Sequence, residues 1–398
     1  MPNILYIAYW GALEPLGRSL IVPSVIELSR LGAKITLVTF EKPLDLAEED
    51  HVRYVRQRLS DAGIHWLPKR YHKWPKTPAT AYDAAIGVAS GLSRTFRESI
   101  DVIHGRCFLG GVIGIAVAKL TGKPFVYHNE GFYPDEQVDG GVWTQESASY
   151  RLAKYLEDQM YARSDGVIAL SKRARDQIRA MSFVDQEKPI VVAPSCVDLE
   201  HFSGKSIQRR PSRQDRLLEL VYIGSVGGRY DLDRIGRFMS SVNRKERRAN
   251  LTVYSKADPE LVRDLLERGG LKDGWVHKAA SYDEMPTILP RYDAGLFSLR
   301  QGLSEHGCSP TKVGEYWASG IPVITTPNVS DVDAIIAKNQ VGVVIEDDSE
   351  AADLSAFDKT VELLKSVGLQ DRCREAAREN YGLHIACSRQ YELYKQLA

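Results

Sequence analysis

Residues 308–327 read CSPTKVGEYWASGIPVITTP and set Lys312 three positions ahead of Glu315. Ser309 and Pro310, just before them, predict a helix start, because serine accepts hydrogen bonds from first-turn amides and proline needs no donor at the first helical position. Gly320 supplies the stop. The preceding run AGLFSLR reads as a strand, so the helix begins at the carboxyl edge of a sheet, where ligands of open parallel sheets gather. Unpaired first-turn N–H groups and the positive end of the helix dipole attract an anion. Thr311, Lys312 and Glu315 fall on one side of that first turn. Ser309, Thr311 and Lys312 therefore suit a phosphate, and Glu315 suits the paired hydroxyls of a ribose. The same spacing also describes an exposed ion pair on a capped helix that closes a βαβ unit.

Other residues could serve the same ligand. The stretch GSVGGRYD, residues 224–231, follows an apolar run, and Gly224, Gly227 and Gly228 let backbone approach a ligand closely, with Arg229 at the rim. Arg300 and Lys256 end two further strands and could face the same anion or simply solvent. KPFVYHNEG places His128 at a strand end, followed by Asn129 and Glu130. A histidine there can position or stabilise a reacting group, with Asn129 and Glu130 on the acceptor side. The pairs DLD (231–233) and DVD (331–333) imitate metal-binding aspartates, but both open helices, where aspartate is favoured by capping and dipole, so no metal is expected. No P-loop and no GxSxG elbow occurs.

The elements that must hold these residues fall into two sets. Strand-like runs at NILYIAY, AKITLVTF, GIHWLP, DVIHGR, KPFVYHN, GVIALS and PIVVAPS alternate with helical patterns. After the polar, basic stretch 196–216, the rhythm restarts with LELVYIGS, ANLTVYSK, GWVHKAA, DAGLFSL, IPVITT and VGVVIE. Alternation of this kind means α/β architecture with parallel sheets covered on both faces. The reading gives two doubly wound Rossmann-like domains facing across a cleft, residues 1–203 and 204–383, with a last helix, 384–398, packing back on the first.

Several linked segments then resemble one family. SPTKVGEYWASGIPVITTPNVSDVDAI looks like the donor-binding segment of retaining GT-B glycosyltransferases of family 4. PIVVAPSCVDLEHFS is similar to that family's interdomain segment, and LVYIGSVGGRYD to the first strand and glycine loop of its second domain. The resemblance implies transfer of a sugar from a nucleoside-diphosphate sugar to a hydroxyl acceptor, with retention and without a metal or other cofactor. By the same resemblance Glu315 grips the ribose, Gly17 lies near the donor phosphates, His128 lies near the reacting sugar, and the base sits by residues 280–282. The family's first signature glutamate falls at Gly307 here, and its usual arginine falls at Ser225, with Arg229 as the substitute. Two alternatives stay open: a sugar-nucleotide 2-epimerase of the same architecture, and a non-catalytic sugar-binding protein.

Charge and cysteine content set the partners and compartment. Lys plus Arg and Asp plus Glu both number 52, so no overall field favours nucleic acid. The five cysteines lack zinc or redox spacing, and the N-terminus lacks a basic leader, so reduced thiols in the cytoplasm are expected. HWLPKRYHKWPKTP, residues 65–78, mixes basic and aromatic residues without acids, which suits peripheral contact with an anionic membrane, a lipid diphosphate acceptor, or a solvated loop.

Overall fold

The computed structural model describes residues 1–203, 217–244, 246 and 248–398, so the expected linker lies outside the described residues from 204 to 216. The chain forms two compact units. The first comprises residues 1–138, 143–195 and 383–398, and the second comprises residues 139–142 and 196–382.

Among the described residues, the first unit holds seven strands: β1 (Asn3–Ala8), β2 (Lys34–Glu41), β3 (His65–Arg70), β4 (Val102–Arg106), β5 (Phe125–His128), β6 (Gly166–Ala169) and β7 (Ile190–Val192). They run parallel in the order β3-β2-β1-β4-β5-β6-β7. The second unit holds β8 (Leu218–Ile223), β9 (Ala249–Tyr254), β10 (Trp275–Lys278), β11 (Ala294–Phe297), β12 (Val323–Thr325) and β13 (Gly342–Val344), parallel in the order β10-β9-β8-β11-β12-β13. Both are doubly wound Rossmann-like sheets, and the strand order reverses at β1/β4 and at β8/β11. Each expected strand run forms a strand. The central ones are buried on both faces, as continuous Val/Ile/Leu runs require, because helices cover both sides of a parallel sheet.

The switch point of the second sheet is held open by one side chain. β8 and β11 pair only at Ala294–Leu220 and Gly295–Val221. Beyond that register the buried Tyr316, from the helix Thr311–Ala318, inserts its hydroxyl: the Ile223 N–H donates to it from 3.1 Å, and the Leu296 and Val221 carbonyls lie 3.2 and 3.3 Å away. Gly295 makes room, since a Cβ there would stand 2.4 Å from the Tyr316 ring. The helix ends as expected, with Gly320 at φ +77° and the Ile321 N–H donating to the Tyr316 carbonyl over 3.0 Å.

The last helix, Leu383–Leu397, belongs to the first unit, where His384 pairs with Glu27 at 2.7 Å and Tyr394 reaches His104. The segment 65–78 is not one exposed aromatic face. Trp66 points inward from β3, 5% exposed, and donates to Thr39 Oγ1 at 2.8 Å, because strand alternation carries it to the core. Trp74, at 82% exposure, is the outward tryptophan of the segment.

Replacing Tyr316 by Phe would leave the Ile223 N–H without its acceptor and remove the one hydroxyl hydrogen that the Leu296 and Val221 carbonyls share. The expected cost is about 1–3 kcal/mol. Urea unfolding of Y316F against the parent chain measures it, and equal stabilities would mean that the hydroxyl does not hold the strands.

Candidate active site

In the second unit, the loop after β8 and the start of the helix Thr311–Ala318 lie together at the carboxyl ends of β8 and β11. Gly224, Gly227 and Gly228 have φ of +94°, +78° and +59°, a region that side chains disfavour. A Cβ on Gly224 would come within 2.6 Å of the Lys312 Cε, so the loop crosses directly over that lysine. Antiparallel bridges join Gly227 to Tyr230 and Tyr230 to Leu299. The Arg300 N–H donates to the Arg229 carbonyl over 2.9 Å, which sets the two arginines side by side on the rim. Arg300 is exposed and stands 3.8 Å from Asp233.

Lys312 is 9% exposed. Its ammonium donates to the Tyr222 hydroxyl at 3.0 Å and the Ser225 carbonyl at 3.1 Å, and it lies 3.5 Å from the centre of the Tyr230 ring. Burial pulls its pKa down to about 7; Glu315 opposes the fall and Arg229 adds to it. Glu315, on the next turn, is half-buried, and its carboxylate accepts no hydrogen bond from any described residue. Burial raises its pKa to about 7, with Lys312 pulling the other way. Beside it, Tyr282 stacks on His201 with ring centres 4.6 Å apart and 10° between planes. Burial first, then the Glu315 charge, raises the Tyr282 phenol.

Ser309 does not cap the helix as its position suggests. The N-cap residue is Pro310, no side chain caps the first turn, and the Ser309 hydroxyl bonds Tyr381 instead. The Thr311 and Lys312 amides are thereby left open, since first-turn N–H groups have no intrahelical carbonyl. Lys256 ends its strand exposed. Asp231 caps its helix by accepting from the Arg234 N–H at 3.1 Å, whereas Asp331 occupies a cap position without a side-chain cap bond.

In the first unit, β4 and β5 deliver a buried polar cluster. His128 is 2% exposed; its Nδ1 lies 3.2 Å from His104 Nε2, and its own buried Nε2 has no partner among the described residues. Asn129 accepts the Gly131 N–H on Oδ1 at 2.8 Å, and its Nδ2 is likewise unpartnered. Glu130 is occupied internally: Arg106 donates to one carboxylate oxygen and the Cys107 thiol to the other, at 2.7 Å for the thiol. It therefore does not stand free on the acceptor side. Burial, then the negative charge of Glu130, keeps the Cys107 thiol protonated. Gly17 is fixed by close approach, since a Cβ there would fall 1.8 Å from the Gly11 carbonyl oxygen. Glu41, at the end of β2, accepts the Ala12 and Leu13 N–H groups at 2.8 and 3.0 Å and shapes the same loop.

A sequence model described as "Glycosyl transferase 4-like domain" matches residues 25–195, and one described as "Glycosyl transferases group 1" matches residues 218–365. The chain belongs to the GT-B glycosyltransferases of family-4-like type. No curated protein is a significant sequence match. Among solved structures, sucrose-phosphate synthase from Thermosynechococcus elongatus superposes with a TM-score of 0.72 at 14% identity, covering 100% of this chain and 99% of that one. WaaG, a glycosyltransferase of lipopolysaccharide biosynthesis, gives 0.65 at 16% identity, covering 98% and 99%. Anabaena HepE in complex with UDP and glucose gives 0.62 at 12%, covering 100% of both chains. At these identities the likeness establishes the fold.

Within this glycosyltransferase, the second unit brings together the glycine loop, Arg229, Lys312, the open helix start and Glu315. The residues that sequence reasoning missed are aromatic: Tyr222, Tyr230 and His201. Tyr222 and Tyr230 bracket the glycine loop on both sides, which is the signal that could have found them.

The raised Glu315 pKa has a stability signature. Glu315 is neutral in the folded chain up to about pH 7 and ionises in the unfolded chain from about pH 4.5. Its stabilising contribution is complete below pH 4.5 and is lost as pH rises to about 7. Relative to the parent chain, E315Q therefore gains stability between those values and stays level outside them. Chemical denaturation across pH 4–8 reads this, and a difference independent of pH would contradict it.

Proposed function

We propose that this glycosyltransferase moves a sugar from a nucleoside-diphosphate sugar to a hydroxyl acceptor, retaining anomeric configuration and using no metal. The observation that carries the reading is the Glu315 carboxylate, half-buried and accepting no hydrogen bond, one turn from the uncapped helix start and beside the stacked Tyr282 and His201. A ribose diol satisfies that carboxylate, the aromatic pair flanks the base, and the Thr311 and Lys312 amides receive the diphosphate with Gly227, Gly228 and Arg229 above it. The reaction then depends on positioning and on stabilising the charge of the leaving diphosphate. His128 and Asn129 act on the sugar. An arriving diphosphate raises the Lys312 pKa again, so binding above pH 7 takes up a proton.

The structure of HepE with UDP and glucose makes UDP compounds the first donors to test. Calorimetry with UDP, GDP and ADP identifies the base. With the nucleotide that binds, E315A is expected to weaken affinity by at least about tenfold, from the loss of charge-assisted hydrogen bonds worth about 1.5–3 kcal/mol. Unchanged affinity would remove Glu315 from the donor site. H128A is expected to lower kcat by about 10²-fold with little change in donor affinity. Normal turnover would remove His128 from the reaction. Incubating a sugar nucleotide with and without acceptors separates transfer from isomerisation, the 2-epimerase outcome, and from binding alone.

A further inference from the structure

The helix Leu383–Leu397 carries Tyr394 into the core of the first unit, where its buried hydroxyl lies 2.7 Å from His104 Nδ1. His104 Nε2 in turn lies 3.2 Å from His128 Nδ1, which completes a three-residue chain ending at the unpartnered His128 Nε2. The geometry is fixed from the sides. Tyr6 stacks on the His104 ring at 4.0 Å and 13°, and Arg106 donates to the Tyr6 hydroxyl over 3.0 Å. Burial and the Arg106 charge hold both imidazoles well below their ordinary pKa, so both are neutral and each carries one N–H.

Two proton arrangements fit this chain. In one, Tyr394 donates to His104 Nδ1, His104 Nε2–H donates to His128 Nδ1, and His128 presents Nε2–H. In the other, every bond reverses, and the Tyr394 hydroxyl hydrogen is left without an acceptor, because no second described group meets that oxygen. Each arrangement leaves one buried donor unmet, but the first puts it on His128 Nε2, at the carboxyl end of β5 where a ligand oxygen can accept it, and the second puts it on the Tyr394 hydroxyl in the core, where no described group can. We propose that Tyr394 and His104 are positioning residues that hold His128 as its Nε2–H tautomer, so that His128 offers the sugar a hydrogen-bond donor and not a base. Beside it, Asn129 has Oδ1 taken by Gly131 and Nδ2 free, so two donors stand together at the end of β5. An oxygen-rich group, a sugar hydroxyl or a phosphate oxygen, matches them. That the group is part of a donor sugar rests on the function proposed above; the tautomer does not.

Long-range proton–nitrogen NMR of the full chain with labelled histidine tests the tautomer directly, with H128A identifying the resonances. The expected spectrum shows His128 protonated on Nε2 and bare on Nδ1. Y394F, which removes one hydroxyl, should turn His128 into a mixture of tautomers and lower kcat about tenfold, with the donor KM within about twofold. H104Q keeps an amide donor near the position of Nε2 and should retain the tautomer and most turnover, whereas H104L should lose both. A His128 protonated on Nδ1 in the parent chain, or an unchanged His128 spectrum in Y394F and H104L, overturns the proposal. If Y394F does not fold, the H104Q and H104L pair decides. Absence of sugar transfer with every nucleotide donor would count against the glycosyltransfer reading alone, since the spectra report the tautomer without turnover.

Discussion

The second unit of this chain depends on a phenol lodged between two strands that have parted. β8 and β11 are neighbours in the sheet, but they pair over two residues only before Tyr316 occupies the gap. Its hydroxyl replaces ladder bonds that the diverging backbones cannot make with each other, which satisfies buried groups that otherwise carry a desolvation cost. The wedge fixes the helix Thr311–Ala318 against the sheet. Lys312 and Glu315, four residues and one residue before Tyr316 on the same helix, are thereby aimed with it. Gly295 and Gly224 are the corresponding concessions, one admitting the ring and the other admitting the lysine beneath the loop.

The first unit uses buried polar groups in a different way. Native interiors pair nearly all of theirs, so unpartnered atoms on adjacent residues form an uncommon concentration. Among the described residues His128 Nε2 and Asn129 Nδ2 are such atoms, next to a hydrogen-bonded set made of Arg106, Glu130, Cys107 and Tyr6 in which Arg106 Nε is also unmet. The bonds among Arg106, Glu130, Cys107 and Tyr6 hold those side chains to one another, so they do not turn to meet His128 Nε2 or Asn129 Nδ2. The unit thus supplies rigid hydrogen-bond capacity at the carboxyl ends of β4 and β5, the edge where doubly wound sheets bind ligands.

Much of this was legible in the sequence, for reasons that are local. The strand runs announce themselves because a parallel sheet buried on both faces needs unbroken β-branched stretches bounded by Gly and Pro. The Gly320 helix stop reads as easily. What failed to read depends on residues far apart in the chain. Ser309 looks like a cap, yet Tyr381 competes for its hydroxyl. Glu130 looks available, yet Arg106 and Cys107 take its oxygens. Trp66 looks like part of a basic, aromatic surface, yet β3 turns it to the core. Spacing gives a side chain's direction along its own element and says nothing about which partner arrives from another.

Lys312 and Glu315 show how such arrivals set chemistry. On an isolated helix they would be an exposed i,i+3 pair, fully charged and worth a few tenths of a kcal/mol. Under the glycine loop, desolvation is the largest influence on both, moving the lysine down and the glutamate up until their pKa values meet near 7. Their mutual attraction only partly offsets that cost. A pair poised in this way responds strongly to any added charge or hydrogen bond, because neither ionised form is well satisfied by the protein alone. An anion near the loop favours the ammonium, and hydroxyl donors near Glu315 favour the carboxylate, so one ligand carrying both groups relieves both penalties together. The donor proposed above, which joins a phosphate to a diol, is a ligand of that kind.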